Sequence, residues 1–360
     1  MAEINDLLKI VFDTASSDLH LVVGSMPALR TQGRLSFIGN EPVLDAATAS
    51  RLVTATMNPA QKERFLAEKE IDYSYEVAGL ARFRVNAYTQ KGTAAAAFRL
   101  IPAIIPTIDS LNLPSICHTF AQLHQGFILV TGPTGQGKSS TLAAVLEEIN
   151  ATRAEHIITI EDPVEFVYQN KKSIISQREL GGDTDSFARA LKSVLREDPN
   201  VVLVGEMRDL ETMKAAMTTA ETGHLVFATL HTNSASQTID RIVDSFSEEQ
   251  QEQIKSQLAT SLEAVFSQRL VPAKDGKRAV DGKRAVAVEV MVSTPAVKNN
   301  IREGKTHQID NIIQTSQELG MILLETSLAN LVNKGVVDKE VAYKYANHPT
   351  VLARLIGELK

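Results

Sequence analysis

The sequence predicts an α/β protein: a small N-terminal α+β domain, a domain built on a mostly parallel sheet, and a C-terminal helical part. Three observations carry this. Residues 127–149 read FILVTGPTGQGKSSTLAAVLEEI, an apolar strand, a glycine-rich turn and a helix in direct succession. Three later apolar runs, HIITIEDPVE, VVLVGEMRD and HLVFATLHT, end in acids or histidines and are separated by helical stretches, the alternation expected of a parallel sheet. The first hundred residues instead mix short strands with short helices.

Taken in order, Ile4, Leu7, Leu8, Val11 and Phe12 recur at helical spacing, so residues 3–13 form a short amphipathic helix. LHLVVG and ALRTQGRLSFI read as short strands broken by Gly24, Pro27 and Gly33. Asp45 caps a helix running to about Met57, and Asn58 with Pro59 starts another. Residues 71–88 form a hairpin turning near Gly79, whose second arm puts Phe83, Val85 and Ala87 on one face and Arg82, Arg84 and Asn86 on the other. Arg99 closes the run GTAAAAFRLIP. IPAIIPTIDSLNLP, with Pro102, Pro106 and Pro114, reads as a stiff linker over 101–114, which sets the domains at 1–100 and 115–360. Residues 248–270 read as one long helix, and from Pro295 the chain reads as short helices. Between these, DGKRAV occurs at 275–280 and again at 281–286, the pattern of an exposed hairpin tip lengthened by duplication.

Lys and Arg total 37 against 43 acids, a net charge of −6, which disfavours broad attraction to nucleic acid or anionic lipid. The single cysteine, Cys117, excludes an intramolecular disulfide and a Cys-rich zinc site. No apolar run reaches the about 18 residues that span a bilayer, and no basic leader precedes an apolar core. The expectation is a cytoplasmic protein without a transmembrane segment.

The segment GPTGQGKS fits the phosphate-loop pattern GxxxxGK[ST]. Backbone N–H groups at a helix N-terminus grip an anionic polyphosphate, and glycines let the backbone approach it closely. Gly132, Pro133, Thr134, Gly135, Gln136, Gly137, Lys138, Ser139 and Ser140 are therefore the candidate ATP contacts. Lys138 would reach the β and γ phosphates and Ser139 would offer its hydroxyl to Mg²⁺. Glu206 follows the strand 201–204, and Gly205 stands where many phosphate-loop proteins carry a metal-binding Asp, so the strand offers a base for the attacking water. Glu161 and Asp162 sit where Pro163 ends another strand and should face the same phosphates. His224 and His231 are seven apart, which places them on opposite faces of a strand and disfavours a shared metal; His231 is the better candidate for the γ-phosphate.

These residues resemble the type II and type IV secretion ATPases, and within them the type IV pilus retraction ATPases. The resemblance rests on SDLHL at 17–21, RFRVNAY at 82–88, GPTGQGKS at 132–139, TIEDPVE at 159–165, LREDPNVVLVGEMRD at 195–209, GHLVFATLHTNSA at 223–235 and IREGKTHQI at 301–309. It implies a hexameric ring ATPase with a PAS-like N-terminal domain and a RecA-like domain. It also implies hydrolytic roles for Glu161, Asp162, Glu206, His224 and His231, and nucleotide-sensing roles for Arg82, Arg84 and Arg99. The partners implied are an inner-membrane pilus platform protein and a paralogous ATPase, with the motor peripheral to the inner face of that membrane. Two departures stand out: Gln136 replaces the usual Ser of the loop, and the family's AIRNLIREGK segment reads AVKNNIREGK at 296–305. The competing readings are a RecA-like motor that translocates nucleic acid, disfavoured by the charge, and a nucleotide-gated scaffold without turnover.

Overall fold

The computed structural model describes residues 2–31, 33–102, 104–274 and 284–358. The chain forms two compact units, Met1–Ile104 with Pro163–Val167, and Ile105–Asp162 with Tyr168–Lys360. Among the described residues of the first, β1 (Asp18–Leu21), β2 (Ala28–Thr31), β3 (Arg34–Phe37), β4 (Glu70–Val77), β5 (Ala81–Gln90) and β6 (Thr93–Leu100) form one sheet. Its order is β3-β2-β1-β6-β5-β4, with every pairing antiparallel. One face is apolar because side chains alternate along a strand: Phe83, Val85 and Ala87 of β5 are buried beside Phe98 of β6 and Leu19 of β1. Helices cover that face. Ile4, Leu7, Leu8 and Val11 of the helix Ile4–Asp13 pack into the unit's own core, so this stripe is internal. The Asp45 carboxylate accepts from the Thr48 N–H to cap Ala46–Thr54, and Asn58 and Gln61 form a reciprocal capping box on Pro59–Glu68.

The second unit is built on β7 (Gly126–Thr131), β8 (His156–Glu161), β9 (Ile174–Glu179), β10 (Val201–Val204), β11 (Leu225–Leu230), β12 (Leu262–Pro272) and β13 (Arg284–Val292). Among the described residues these form one sheet in the order β13-β12-β7-β11-β10-β8-β9. All pairings are parallel except β12 with β13. Strands β7, β10 and β11 are buried on both faces, which is why they read as unbroken apolar runs. Phe127 and Leu129 face one core, with Phe187–Val194, Leu210–Glu221, Ala235–Val243 and Glu248–Ser261. Ile128 and Val130 face the other, with Ile116–Gln122 and Lys138–Thr152. The C-terminal helices Leu324–Asn333, Lys339–Tyr345 and Pro349–Leu355 close a further cluster over Val271, Ala285 and Ala287.

Two expectations change, and a third falls largely outside the described residues. The linker expected at 101–114 is half core: Ile108, Leu111 and Leu113 are buried in the second unit, because their apolar side chains outweigh the extended preference of the flanking prolines. The helix expected over 248–270 ends at Ser261, and Leu262–Pro272 is a strand. Its apolar residues fit either period, and the free edge of β7 decides the matter by pairing with it through an irregularity between Leu262 and Ala264. Of the duplicated DGKRAV segment, 284–286 open β13, and the rest, 275–283, lies outside the described residues. Among the described residues no helix is long and apolar enough to cross a membrane.

Candidate active site

Strand β7 ends at Thr131 and the loop follows, with positive φ at Gly132, Gly135 and Gly137. Glycine is needed there because a Cβ disfavours that region. Gly137 hands the chain to the helix Lys138–Thr152, whose opening bond runs from the Thr141 N–H to the Gly137 carbonyl. The N–H groups of Lys138, Ser139 and Ser140 therefore lie at an open helix N-terminus, which favours an anion. Lys138 is buried, and its ammonium donates to the carbonyls of Gly132 at 2.7 Å and Pro133 at 3.1 Å. Pro133, Thr134 and Gln136 complete the turn, Thr134 being exposed at its tip.

Side chains from the ends of β11, β10 and β8 form a series that starts at this lysine. Its Nζ is 3.4 Å from Nδ1 of His231, and Nε2 of His231 is 2.9 Å from Oε1 of Glu206. The other Glu206 oxygen accepts from Nη2 of Arg208 at 2.9 Å, and Nη1 of Arg208 lies 3.5 Å from Asp162 Oδ2. Burial alone would raise the Glu206 carboxyl, but the hydrogen bonds and charge of Arg208, with His231, outweigh it and hold the group below its usual range. The same bond to Glu206 pushes Arg208 upward. Glu206 is aimed by backbone: Gly205 donates to the Ile160 carbonyl, Met207 to the Thr229 carbonyl, and the Thr229 hydroxyl to the Gly205 carbonyl at 2.5 Å. A Cβ at Gly205 would crowd the Glu161 Cα at 3.2 Å, so the glycine lets β10 and β8 approach.

Glu161 ends β8 and is buried, with Oε1 accepting from the Thr159 hydroxyl at 2.7 Å and from Gln177 Nε2 at 3.3 Å. His224 is not brought to the loop. It precedes β11, at the end of the strand opposite to His231, and its Nδ1 lies 3.0 Å from the Thr219 carbonyl, at the C-terminal end of Leu210–Glu221. That is helix capping, and His224 is removed from the constellation. Arg82, Arg84 and Arg99 belong to the first unit. Arg84 and Arg99 are cross-strand partners and Arg82 is two residues from Arg84, so the three share the face opposite the core. Arg99 Nε donates to Asp18 Oδ1 at 2.8 Å.

Sequence reasoning does not flag the residues of β12 that flank the loop. The one signal is the polar triplet Ser267, Gln268 and Arg269 interrupting an apolar run.

A family model described as type II/IV secretion system protein matches residues 40–347. The chain belongs to the type II/IV secretion system protein family. It is 46% identical over 347 residues to the type IV pilus retraction ATPase PilT of Pseudomonas aeruginosa, covering 96% of this chain and 99% of that one. Identity to the type IV pilus ATPase PilU of the same organism is 37% over 354 residues, covering 98% and 91%. The crystal structure of the pilus retraction motor PilT with bound ADP matches with a TM-score of 0.90 at 41% identity, covering 98% of this chain and all of that one. As a type II/IV secretion system protein, the chain has its phosphate loop, both acidic strand ends and the His231 motif inside the matched range.

Proposed function

We propose that this chain is an ATP-hydrolysing motor that powers type IV pilus retraction, and with it twitching motility, by driving pilin disassembly at an inner-membrane platform protein. The observation that carries the reading is the unbroken series Lys138, His231, Glu206, Arg208 and Asp162, which ties the phosphate loop to an ionised carboxylate. Lys138, Ser139, Ser140 and the loop amides hold the phosphates of ATP. The residues fit Mg²⁺ held by the Ser139 hydroxyl and by phosphate oxygens, where it would neutralise charge on the transferred group. Glu206 accepts the proton of the attacking water, and Arg208 and His231 keep it ionised and aimed. Asp162 and Glu161 extend the acidic rim. Arg82, Arg84 and Arg99, on one face of a PAS-like N-terminal module, supply positive charge to a nucleotide of their own or a neighbouring chain.

The assembly proposed is a homo-hexameric RecA-like ring on the cytoplasmic face of the inner membrane, with a paralogous ATPase as a further partner. Whole-length similarity to a pilus retraction ATPase supports retraction as the direction. Gene deletion tests it: cells with excess surface pili and no twitching are expected, and bald cells would reverse the direction. Phosphate release by the purified chain tests the enzyme, and a chain that binds ATP without turnover would be a scaffold.

A further inference from the structure

The phosphate loop leans on β12. The parallel register of β7 with β12 ends at Thr131 and Ser267, whose hydroxyls are 2.7 Å apart. Past that pair β7 gives way to the loop while β12 runs on, so the loop takes the place of a neighbouring strand. Gln268 is only 2% exposed, and both ends of its amide are engaged. Its Nε2 donates to the Gln136 carbonyl at 2.7 Å, and its Oε1 accepts from the Thr141 hydroxyl at 2.6 Å. Gln136 answers with its own side chain, whose Oε1 accepts from the Leu270 N–H at 2.6 Å. The unusual loop residue is thus bonded to β12 twice. A Cβ on Gly132 would stand 2.4 Å from the Gln268 carbonyl oxygen, and one on Gly137 would stand 2.7 Å from its Nε2. Gly135 has nothing within 4 Å of such a Cβ. All three loop glycines have positive φ, and at Gly132 the backbone of Gln268 adds a steric demand of its own.

We infer that Gln268 is a positioning residue for nucleotide binding, with Gln136 and Thr141 as its partners. In a trans peptide the C=O and the following N–H point in opposite directions, so a Gln136 carbonyl held against β12 turns the Gly137 N–H away from it. The second bond, to Thr141, ties the same point to the first turn of the helix that carries Lys138 and Ser139. The brace orders the amides before any phosphate arrives. Without it the loop samples other shapes, and the apparent affinity falls by the fraction of time spent in the competent one. The buried Thr141 hydroxyl and the half-buried Gln136 carbonyl would also lose their partner, and a loss of this kind corresponds to about a ten- to hundredfold change in an equilibrium.

The inference rests on the ATPase reading, and the experiment separates the two. Full-length wild type, Gln268→Leu, Thr141→Val and Thr141→Ser are titrated with Mg·ADP, and KM, kcat and the nucleotide-free melting temperature are measured. For Gln268→Leu the Kd for ADP should rise about ten- to hundredfold with KM in step, while kcat at saturating ATP stays within about threefold, because the brace acts equally in ground and transition states. Thr141→Val should weaken binding and Thr141→Ser, which keeps the hydroxyl, should restore it. The double variant Gln268→Leu/Thr141→Val should be no worse than Gln268→Leu, since Thr141→Val removes a contact that Gln268→Leu has already removed. Gln268→Leu binding ADP within about twofold of wild type, or a fall in melting temperature with KM unchanged, overturns the inference. Should Gln268→Leu not fold, equal ADP affinity in Thr141→Val and Thr141→Ser overturns it. A wild-type chain that neither binds nor hydrolyses ATP overturns the ATPase reading itself.

Discussion

Replacing Glu206 by glutamine should separate nucleotide binding from turnover. The wild-type carboxylate is fixed by two bonds of 2.9 Å, to Arg208 and His231, and is held ionised at neutral pH. Glutamine has the same shape. Its amide oxygen can keep the bond to Arg208, which holds the side chain in place. What disappears is a negative charge and a proton acceptor. Proton transfer of this kind is worth about 10²- to 10⁴-fold, or roughly 3 to 5 kcal/mol of barrier. Among the described residues Glu206 reaches the phosphate loop through His231, so the affinity for ATP should stay within about threefold. Because the carboxyl is held low, it remains a base as pH falls through its ordinary range, about 4.3, and contributes no acid limb to kcat above that. The assay is steady-state phosphate release across pH 5 to 9, beside equilibrium titration with a slowly hydrolysed ATP analogue. Turnover within about fivefold of wild type would refute the reasoning and move the base to Glu161, the next carboxylate along the same rim.

Lys138→Ala should abolish ATP binding, since it removes the charge that meets the phosphates and also two bonds that close the loop onto Gly132 and Pro133; titration retaining affinity within about tenfold would contradict this. Arg99→Ala and Arg84→Ala should differ. Arg99 pairs with Asp18, whose side chain is 6% exposed while the arginine is 69% exposed, so the loss of stability by urea unfolding should be about 1–2 kcal/mol after discounting for the solvated partner. Arg84→Ala should leave unfolding within about 0.5 kcal/mol and lower turnover, and equal unfolding of the two variants would refute the pairing. Glu289 offers a pH test away from the loop. Burial pushes its carboxyl from 4.5 up to about 7, Asp310 and Glu325 add to this, and the Ala235 N–H, 2.7 Å away, opposes it. The folded chain then holds a proton that the unfolded chain releases, so stability falls as pH rises from about 4.5 to 7, by something on the order of 3 kcal/mol. Glu289→Gln should match wild type at pH 5 and exceed it at pH 8, and parallel stability curves would show that the carboxyl titrates normally.

Much of the site is legible in the sequence because it is local. The strand, loop and helix of 127–149 are contiguous, and their glycines and lysine need no distant partner to be recognised. The direction of a parallel strand is equally legible. Glu161, Glu206 and His231 lie at carboxyl ends, where such sheets bind ligands. His224 is a candidate through the resemblance, and its bond to the Thr219 carbonyl removes it. Alternation in 81–90 places the arginines of that strand together, although their partner residues come from strands remote in sequence.

Tertiary structure decided whatever depends on partners far along the chain. Residues 262–270 satisfy a helical period and a strand period alike, and pairing with β7, more than a hundred residues earlier, and with β13 selects the strand. The meaning of Gln136 follows from that choice: its bonds to Gln268 and Leu270 exist only once β12 lies beside the loop. The burial of Glu289, the pairing of Arg99 with Asp18 and the contact of His231 with Lys138 have the same origin. By itself the sequence determined the residue types and their places along each strand, because those follow from local stereochemistry and hydrophobic period. Which strand lies beside which, and therefore which polar groups meet, was decided by packing, since a buried polar group takes its partner from whatever element the core brings within hydrogen-bond reach.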